Sequence, residues 1–480
     1  MRPDYTGPDL CALSACAVVD LLAAGKVSPA ELIDAALTRH AQADGPVNAM
    51  PILCEARARA QAASLADQRF DGPGALCGLP VAIKDLTAVA GVRWTCGTPA
   101  MAETIAEVSD PLVERIEARG GVILGKTNTP EMGAGANTFN AVLGRTRNPW
   151  NTAMNPAGSS GGSAAALATG QIWLAEGSDH GGSLRTPAAY CGIVGLRPSP
   201  GRAGGAGPDT AFMLEGVNGP MARTVEDLAL FLDSMAGFDP RHPLSIAPPL
   251  TPFRAAVRAA RPPARIAFAP DLDGFAPVEP EVRALLARAM QAMASTGTEV
   301  VEACPNLSGL YETYTTLRRF GMAAGSGRLP DAVQAGFKPT LRANIEEGRA
   351  LTSEAIVDAM RVRSALYHRM RVFLDQHTVL ACPVVGLAAR KAEIEFPTEV
   401  DGQPMADYVD WLRFAYLATT TTLPALSLPV GITANGTPMG VQLIGPPRGE
   451  AVLLSVARVL EEALGFGSRP IDPVIGTDDP

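Results

Sequence analysis

Two serine-glycine segments carry the most unusual chemistry in this 480-residue chain. The first is Gly158-Ser159-Ser160-Gly161-Gly162-Ser163. The second is Gly177-Ser178-Asp179-His180-Gly181-Gly182-Ser183-Leu184-Arg185. Both are embedded in apolar sequence, which argues against flexible linkers. Consecutive glycines before a serine let backbone N–H groups converge on one point. An oxyanion hole needs that arrangement, with donors about 3 Å from the developing negative oxygen. Ser183 is therefore a candidate nucleophile, with the amides of His180, Gly181, Gly182 and Ser183 around its target carbonyl. A serine nucleophile needs a base. His180 lies three residues before Ser183, but in the donor loop itself. Lys84 ends the apolar run Leu79-Pro80-Val81-Ala82-Ile83, where a rigid element would hold it. Lysine after such a run is more often solvated, so spacing alone leaves both bases open.

Other chemistries fit less well. Gly120-Gly121-Val122-Ile123-Leu124-Gly125-Lys126-Thr127 matches the phosphate-loop pattern letter for letter. Its apolar strand lies inside the motif rather than before it, and Asn128-Thr129-Pro130 does not open a helix, so phosphate binding is not expected. The five histidines, at 40, 180, 242, 368 and 377, are far apart. No metal or cofactor is expected from that scatter, and no esterase nucleophile elbow is expected either.

Composition narrows the class. Lys plus Arg total 40 against 49 Asp plus Glu, a net charge of −9, and aromatics are 5%. That balance argues against a nucleic-acid binder. Hydrophobic residues at 47% and charged ones at 19% make a globular chain. Acidic residues interrupt the N-terminal stretch, so no signal peptide is expected. The uncharged run from Phe414 to Ile432 contains Pro424 and Pro429 and is expected to be buried core, not a membrane span. Eight scattered cysteines without a C-x-x-C are expected to be reduced thiols of a cytoplasmic protein.

The elements that must position these residues can be sketched. Ser28-Pro29-Ala30-Glu31 forms a capping box, and Leu32, Ile33, Ala36 and Leu37 mark a buried helical stripe after it. Val81 to Ile83 and Val122 to Leu124 are expected strands, with a helix from Pro111 to Arg119 between them. Strand, helix and strand in that order suggest a mixed, mostly parallel twisted sheet with helices on both faces: an α/β fold. Arg265 to Phe268 and Thr298 to Val301 are further strands, with a helix from Glu279 to Met293. Residues 305–410 are expected to be mostly amphipathic helix. Leu426 to Ile432 and Pro438 to Ile444 return to strand, and Glu450 to Leu464 to helix.

Taken in order, these segments resemble the amidase signature family. Gly78 to Asp85 resembles its lysine strand, and Gly125 to Met132 its next segment. Gly158 to Gly162 and Gly177 to Arg185 resemble the signature itself. Cys191 to Pro198, Gly219 to Thr224 and Pro438 to Gly445 follow in register. The resemblance covers residues 10–235 and 415–465. It implies a Ser–cis-Ser–Lys triad with Ser183 as nucleophile, Ser159 as bridge and Lys84 as base, supported by Ser160, Ser178, Asp179 and Arg185. Asp179 and Arg185 map to a buried pair that braces the donor loop. One amidase-signature domain spanning 1–480 is implied. Within it lie N-terminal helices (1–65), a catalytic core (66–235), a variable substrate-shaping region (240–410) and a C-terminal return to the sheet (415–480). Met132, Gly133, His180, Tyr311, Tyr314, Phe320 and Trp411 are candidate pocket residues. The expected activity is hydrolysis of a small carboxamide or anilide through an acyl-enzyme, with carbamates and esters chemically close. The expected partner is a small-molecule substrate, and a homodimer is a family-level expectation. The competing reading is the amidase subunit of a glutamine-dependent tRNA amidotransferase. Thr186 stands where those subunits usually have Gln. A non-catalytic binding protein on the same scaffold is disfavoured because Lys84, Ser159 and Ser183 are all present.

Overall fold

The computed structural model describes residues 2–65, 68–204 and 207–476. Eleven strands form one sheet: β1 (Ile52–Leu53), β2 (Pro80–Lys84), β3 (Val122–Thr127), β4 (Leu174–Asp179), β5 (Val194–Arg197), β6 (Val217–Ala222), β7 (Arg265–Phe268), β8 (Glu299–Glu302), β9 (Leu380–Pro383), β10 (Ala425–Ile432) and β11 (Pro438–Ile444). Their spatial order is β1-β3-β2-β4-β6-β5-β10-β11-β9-β7-β8. The sheet is mixed. On one flank β2 runs parallel to both β3 and β4, and on the other β7 runs parallel to both β8 and β9. Antiparallel ladders join the flanks through β6, β5, β10 and β11.

Every residue of β2 and β3 is buried. Successive strand side chains point to opposite faces, so continuous burial means that both faces are covered by helices. The capping box forms as expected: the Glu31 amide donates to Ser28 Oγ at 3.2 Å, and the Ser28 amide to Glu31 Oε2 at 2.8 Å. Leu32, Ile33 and Ala36 of that helix are fully buried. Residues 148–175 contain no Asp, Glu, Lys or Arg, and that has a physical cause. Their helix Gly161–Thr169 is buried on every side, and only small, uncharged residues fit such a position. The run from Phe414 to Ile432 divides into a helix, Arg413–Thr421, and β10, both largely buried. No helix among the described residues is long and apolar enough to cross a membrane.

The region 240–410 is more than helical. It contributes β7, β8 and β9 to the main sheet, with β9 lying between β11 and β7. β9 falls inside the stretch expected to be amphipathic helix. It is four residues long and follows the 24-residue helix Ser353–Gln376. A short apolar run in that position has no periodicity that separates strand from helix tail.

Candidate active site

The parallel pair β2 and β4 organises the site, because adjacent parallel strands end at the same sheet edge. Lys84 is the last residue of β2; β4 carries Glu176, Ser178 and Asp179 and opens into the donor loop. Open α/β sheets generally bind ligands at the carboxyl ends of their parallel strands.

Lys84 is fully buried, not solvated. Its Nζ lies 2.6 Å from Ser159 Oγ, 2.9 Å from Ser160 Oγ and 3.1 Å from Ser178 Oγ. Those three hydroxyls match the three N–H donors of an ammonium. Burial holds the amine below the ordinary lysine range, although the carboxylates of Glu176 and Asp179 oppose that shift. The Gly158–Ser159 peptide is cis. Ser160 joins the two signature segments: its amide donates to the Ser183 carbonyl at 3.2 Å, and the Ser178 amide donates to its Oγ at 3.3 Å. Gly158 to Gly162 also spells G-x-S-x-G, contrary to the expectation that no esterase elbow is present. The Ser of that string, Ser160, is fully buried, so it is not an exposed elbow nucleophile. Ser183 and Ser159 line one cavity of about 710 Å³. Among the described residues no hydrogen bond joins their hydroxyls; nucleophile contacts are often loose until substrate binds.

Asp179 and Arg185 meet as the resemblance implies. Arg185 donates to Asp179 through Nε at 3.0 Å and NH2 at 2.8 Å, with both side chains fully buried. Arg197 adds NH1 at 3.3 Å to the carboxylate and 2.6 Å to the Asp179 carbonyl. Burial alone would raise the carboxyl, but the two guanidiniums overcome it and hold Asp179 well below the usual carboxylate range. The same carboxylate accepts from the amides of Gly182 at 3.0 Å and Leu184 at 3.1 Å. The Gly182 amide is therefore turned away from the cavity, which revises the four-donor hole. Among the described residues the amides of His180, Gly181 and Ser183 have no acceptor. Gly182 has φ +96°, and a Cβ on Gly181 would lie 2.4 Å from the Tyr314 hydroxyl, so both glycines are geometric requirements of this loop.

The His180 ring faces the cavity, with Nδ1 3.3 Å from Arg318 NH1. Burial and the Arg318 charge hold it well below the ordinary histidine range, which makes it a weak base. Of the candidate pocket residues, Met132, Gly133 and His180 line the cavity, and four others do not. Tyr314 stacks on Tyr416 at 3.6 Å, behind the donor loop. Tyr311 lies just under one turn before Tyr314 on the helix Leu310–Ala324, against the same Tyr416. Phe320 is two residues past Arg318, on the far side of that helix. Trp411 lines a separate void of about 10 Å³, and its neighbour Leu412 reaches the cavity instead. The phosphate-loop lysine is internal: Lys126 Nζ lies 3.2 Å from Asp85, with both side chains fully buried.

Three buried charged residues around the site escaped the sequence reading. Glu176 accepts from the Lys84 amide at 2.9 Å, Asn218 Nδ2 at 2.7 Å and Thr87 Oγ1 at 3.1 Å. Burial raises its carboxyl above the ordinary range against those bonds and the Lys84 charge. A lone carboxylate inside an apolar strand was its signal. Arg197 sat in a quoted motif without a role. Arg318 lies in an amphipathic helix, where no local pattern marks it.

The chain matches the amidase family profile over residues 31–454. It is similar to an acylamidase of Rhodococcus erythropolis, 34% identical over 473 residues, covering 96% of this chain and 98% of that protein. It is also similar to one subunit of the glutamyl-tRNA(Gln) amidotransferase of Synechococcus sp. (strain CC9605), 34% identical over 476 residues, with 94% and 96% covered. Among solved structures, a bacterial aryl acylamidase superimposes with a TM-score of 0.87 at 26% identity, covering 94% of this chain and 96% of that one. A buried lysine among serine hydroxyls beneath a glycine-rich loop, on a fold matched over nearly its whole length, leads to one conclusion: this chain belongs to the amidase signature family and is a hydrolase of carbon–nitrogen bonds other than peptide bonds.

Proposed function

We propose that the chain hydrolyses small carboxamides or anilides through an acyl-enzyme on Ser183. The observation that carries this reading is the 2.6 Å contact between the fully buried Lys84 Nζ and Ser159 Oγ. A hydroxyl both donates and accepts, so Ser159 can pass a proton. Neutral Lys84 takes the Ser159 proton, Ser159 takes that of Ser183, and Ser183 Oγ attacks the carbonyl carbon. The tetrahedral oxyanion meets the amides of His180, Gly181 and Ser183. The relay then returns the proton to the leaving nitrogen, and the C–N bond breaks. Water attacks the acyl-enzyme by the same relay and releases the acid. Carbamates, as in a urethanase, and esters pass through the same kind of oxyanion and belong to the substrate range to be tested. Residues 240–410 shape the pocket, and the assembly is a cytoplasmic homodimer, which light scattering of the purified protein checks.

The test is turnover of p-nitroanilides, aryl amides, aryl carbamates and glutamine, beside Ser183→Ala and Lys84→Ala. Loss in both variants is expected. Turnover that persists without Lys84 means another base. The likeness to amidotransferase subunits favours a second reading, in which the chain is the glutaminase component of such a complex; turnover confined to glutamine, with co-purifying partner chains, selects it.

A further inference from the structure

Arg318 differs from the other buried arginines of this protein. Arg185 and Arg197 share Asp179, Arg39 pairs with Asp472, Arg202 with Glu450 and Arg363 with Glu215. Arg223 is occupied by the carbonyls of Cys11, Leu13 and Ile172. Arg318 is 6% exposed and ion-pairs with no carboxylate among the described residues. Its NH1 lies 3.3 Å from His180 Nδ1, and its NH2 donates to the Tyr408 hydroxyl. Its Nε has no partner among the described residues. A guanidinium carries five N–H donors and does not shed its charge. Burying such a charge without a counter-ion is costly. Arg318 lines the same cavity as Ser159 and Ser183. A Cβ built on Gly181 would lie 3.8 Å from Arg318 NH1, so the charge stands beside the donor loop. The Tyr314 hydroxyl, also buried and without a partner among the described residues, stands at the same place.

Resting on the amidase reading of this cavity, we propose that Arg318 binds a carboxylate on the substrate, so that the preferred substrates are amides that also carry an ionised carboxyl group. The substrate supplies the counter-ion that the protein withholds. Charge-assisted bonds from a planar fork to a carboxylate are strong and directional. The apolar lining of the same cavity, with Leu86, Trp94 and Met132, takes the uncharged part of the molecule.

The test uses two pairs of compounds. N-(p-nitrophenyl)succinamate and N-(p-nitrophenyl)pentanamide place the charge, or its absence, on the acyl side. p-Acetamidobenzoate and p-methylacetanilide place it on the leaving side. Calorimetric binding to the Ser183→Ala protein is expected to favour the acid of one pair by about tenfold or more. In Ser183→Ala/Arg318→Gln that preference collapses towards unity. In Ser183→Ala/Arg318→Lys it falls several-fold, because the charge remains and the fork is lost. The lysine variant serves alone if the glutamine variant does not fold. The kcat/KM ratio of the same pair moves with the binding ratio in single variants at position 318. If neither acid is preferred, or if the preference is unchanged in the variants, the proposal is wrong. Ser183-dependent turnover of the uncharged anilides without an acid preference overturns this inference and leaves the amidase reading standing. An Arg318-dependent binding preference without turnover of any compound does the reverse.

Discussion

At the scale of single residues, the proposed relay ties the pH behaviour to Lys84 and Glu176. The relay needs the free amine, so kcat/KM is expected to fall as pH drops through the Lys84 titration. Burial places that limb below the ordinary lysine value of about 10.4. The charge of Glu176 favours the ammonium, so Glu176→Gln moves the acid limb to still lower pH; a pH profile in which the limb stays or rises refutes this. Glutamine keeps an acceptor for the Lys84 amide, so a lost strand contact does not by itself explain a shift. Asp179→Asn leaves two buried guanidiniums without a full counter-charge and is expected to cost about 3–5 kcal/mol of stability, read from a denaturant midpoint. The sign follows from the depressed carboxyl. The contribution of Asp179 is fully present above its unfolded pKa of about 3.9, and it is lost as pH falls through the lower folded value.

At the scale of elements, the donor loop is wedged between the helix Leu310–Ala324 and the helix Arg185–Cys191. Tyr314 cannot swing aside, because its ring is stacked on Tyr416. Gly181→Ala would set a Cβ 2.4 Å from the Tyr314 hydroxyl, so the loop must move. Its kcat is expected to drop about a hundredfold, the cost of displacing one oxyanion donor. Adding Tyr314→Phe removes the clashing oxygen and is expected to restore part of the rate; kinetics of the double variant decide the point. The capping box of residues 28–31 and the final helix Glu450–Leu464 were legible locally, since each is written in neighbouring residues. β9 was not, because its strand partners lie far away in the chain, in β7 and β11.

At the scale of the whole molecule, residues 240–410 and the segments that carry the signature share one sheet. Deleting residues 240–410 removes β7, β8 and β9 and bares the edge of β11. The truncated chain is expected to aggregate, which light scattering would reveal; a soluble, cooperatively folding product would show that the region is separable. All eight cysteines are free, six of them buried. Burial raises the thiols of Cys77 and Cys304 as well, so both react slowly. A thiol reagent is expected to titrate at most those two in the native protein and all eight after denaturation.

The signature segments and their order were enough to mark the family and its class of carbon–nitrogen hydrolysis, while spacing alone left Lys84 and His180 both open as the base. Glycine, serine and lysine in that pattern meet a local requirement, namely backbone donors, a hydroxyl and an amine on a strand end. The tertiary structure alone decided which face of a helix meets the cavity, which amide of the loop is spent on Asp179, and which buried arginine has neither a carboxylate nor a carbonyl partner among the described residues. The physical reason is that a charge in an interior is defined by its partners. Arg318 and Arg185 are the same residue type, and only the position of Asp179 in space makes one a brace and leaves the other without a carboxylate partner among the described residues.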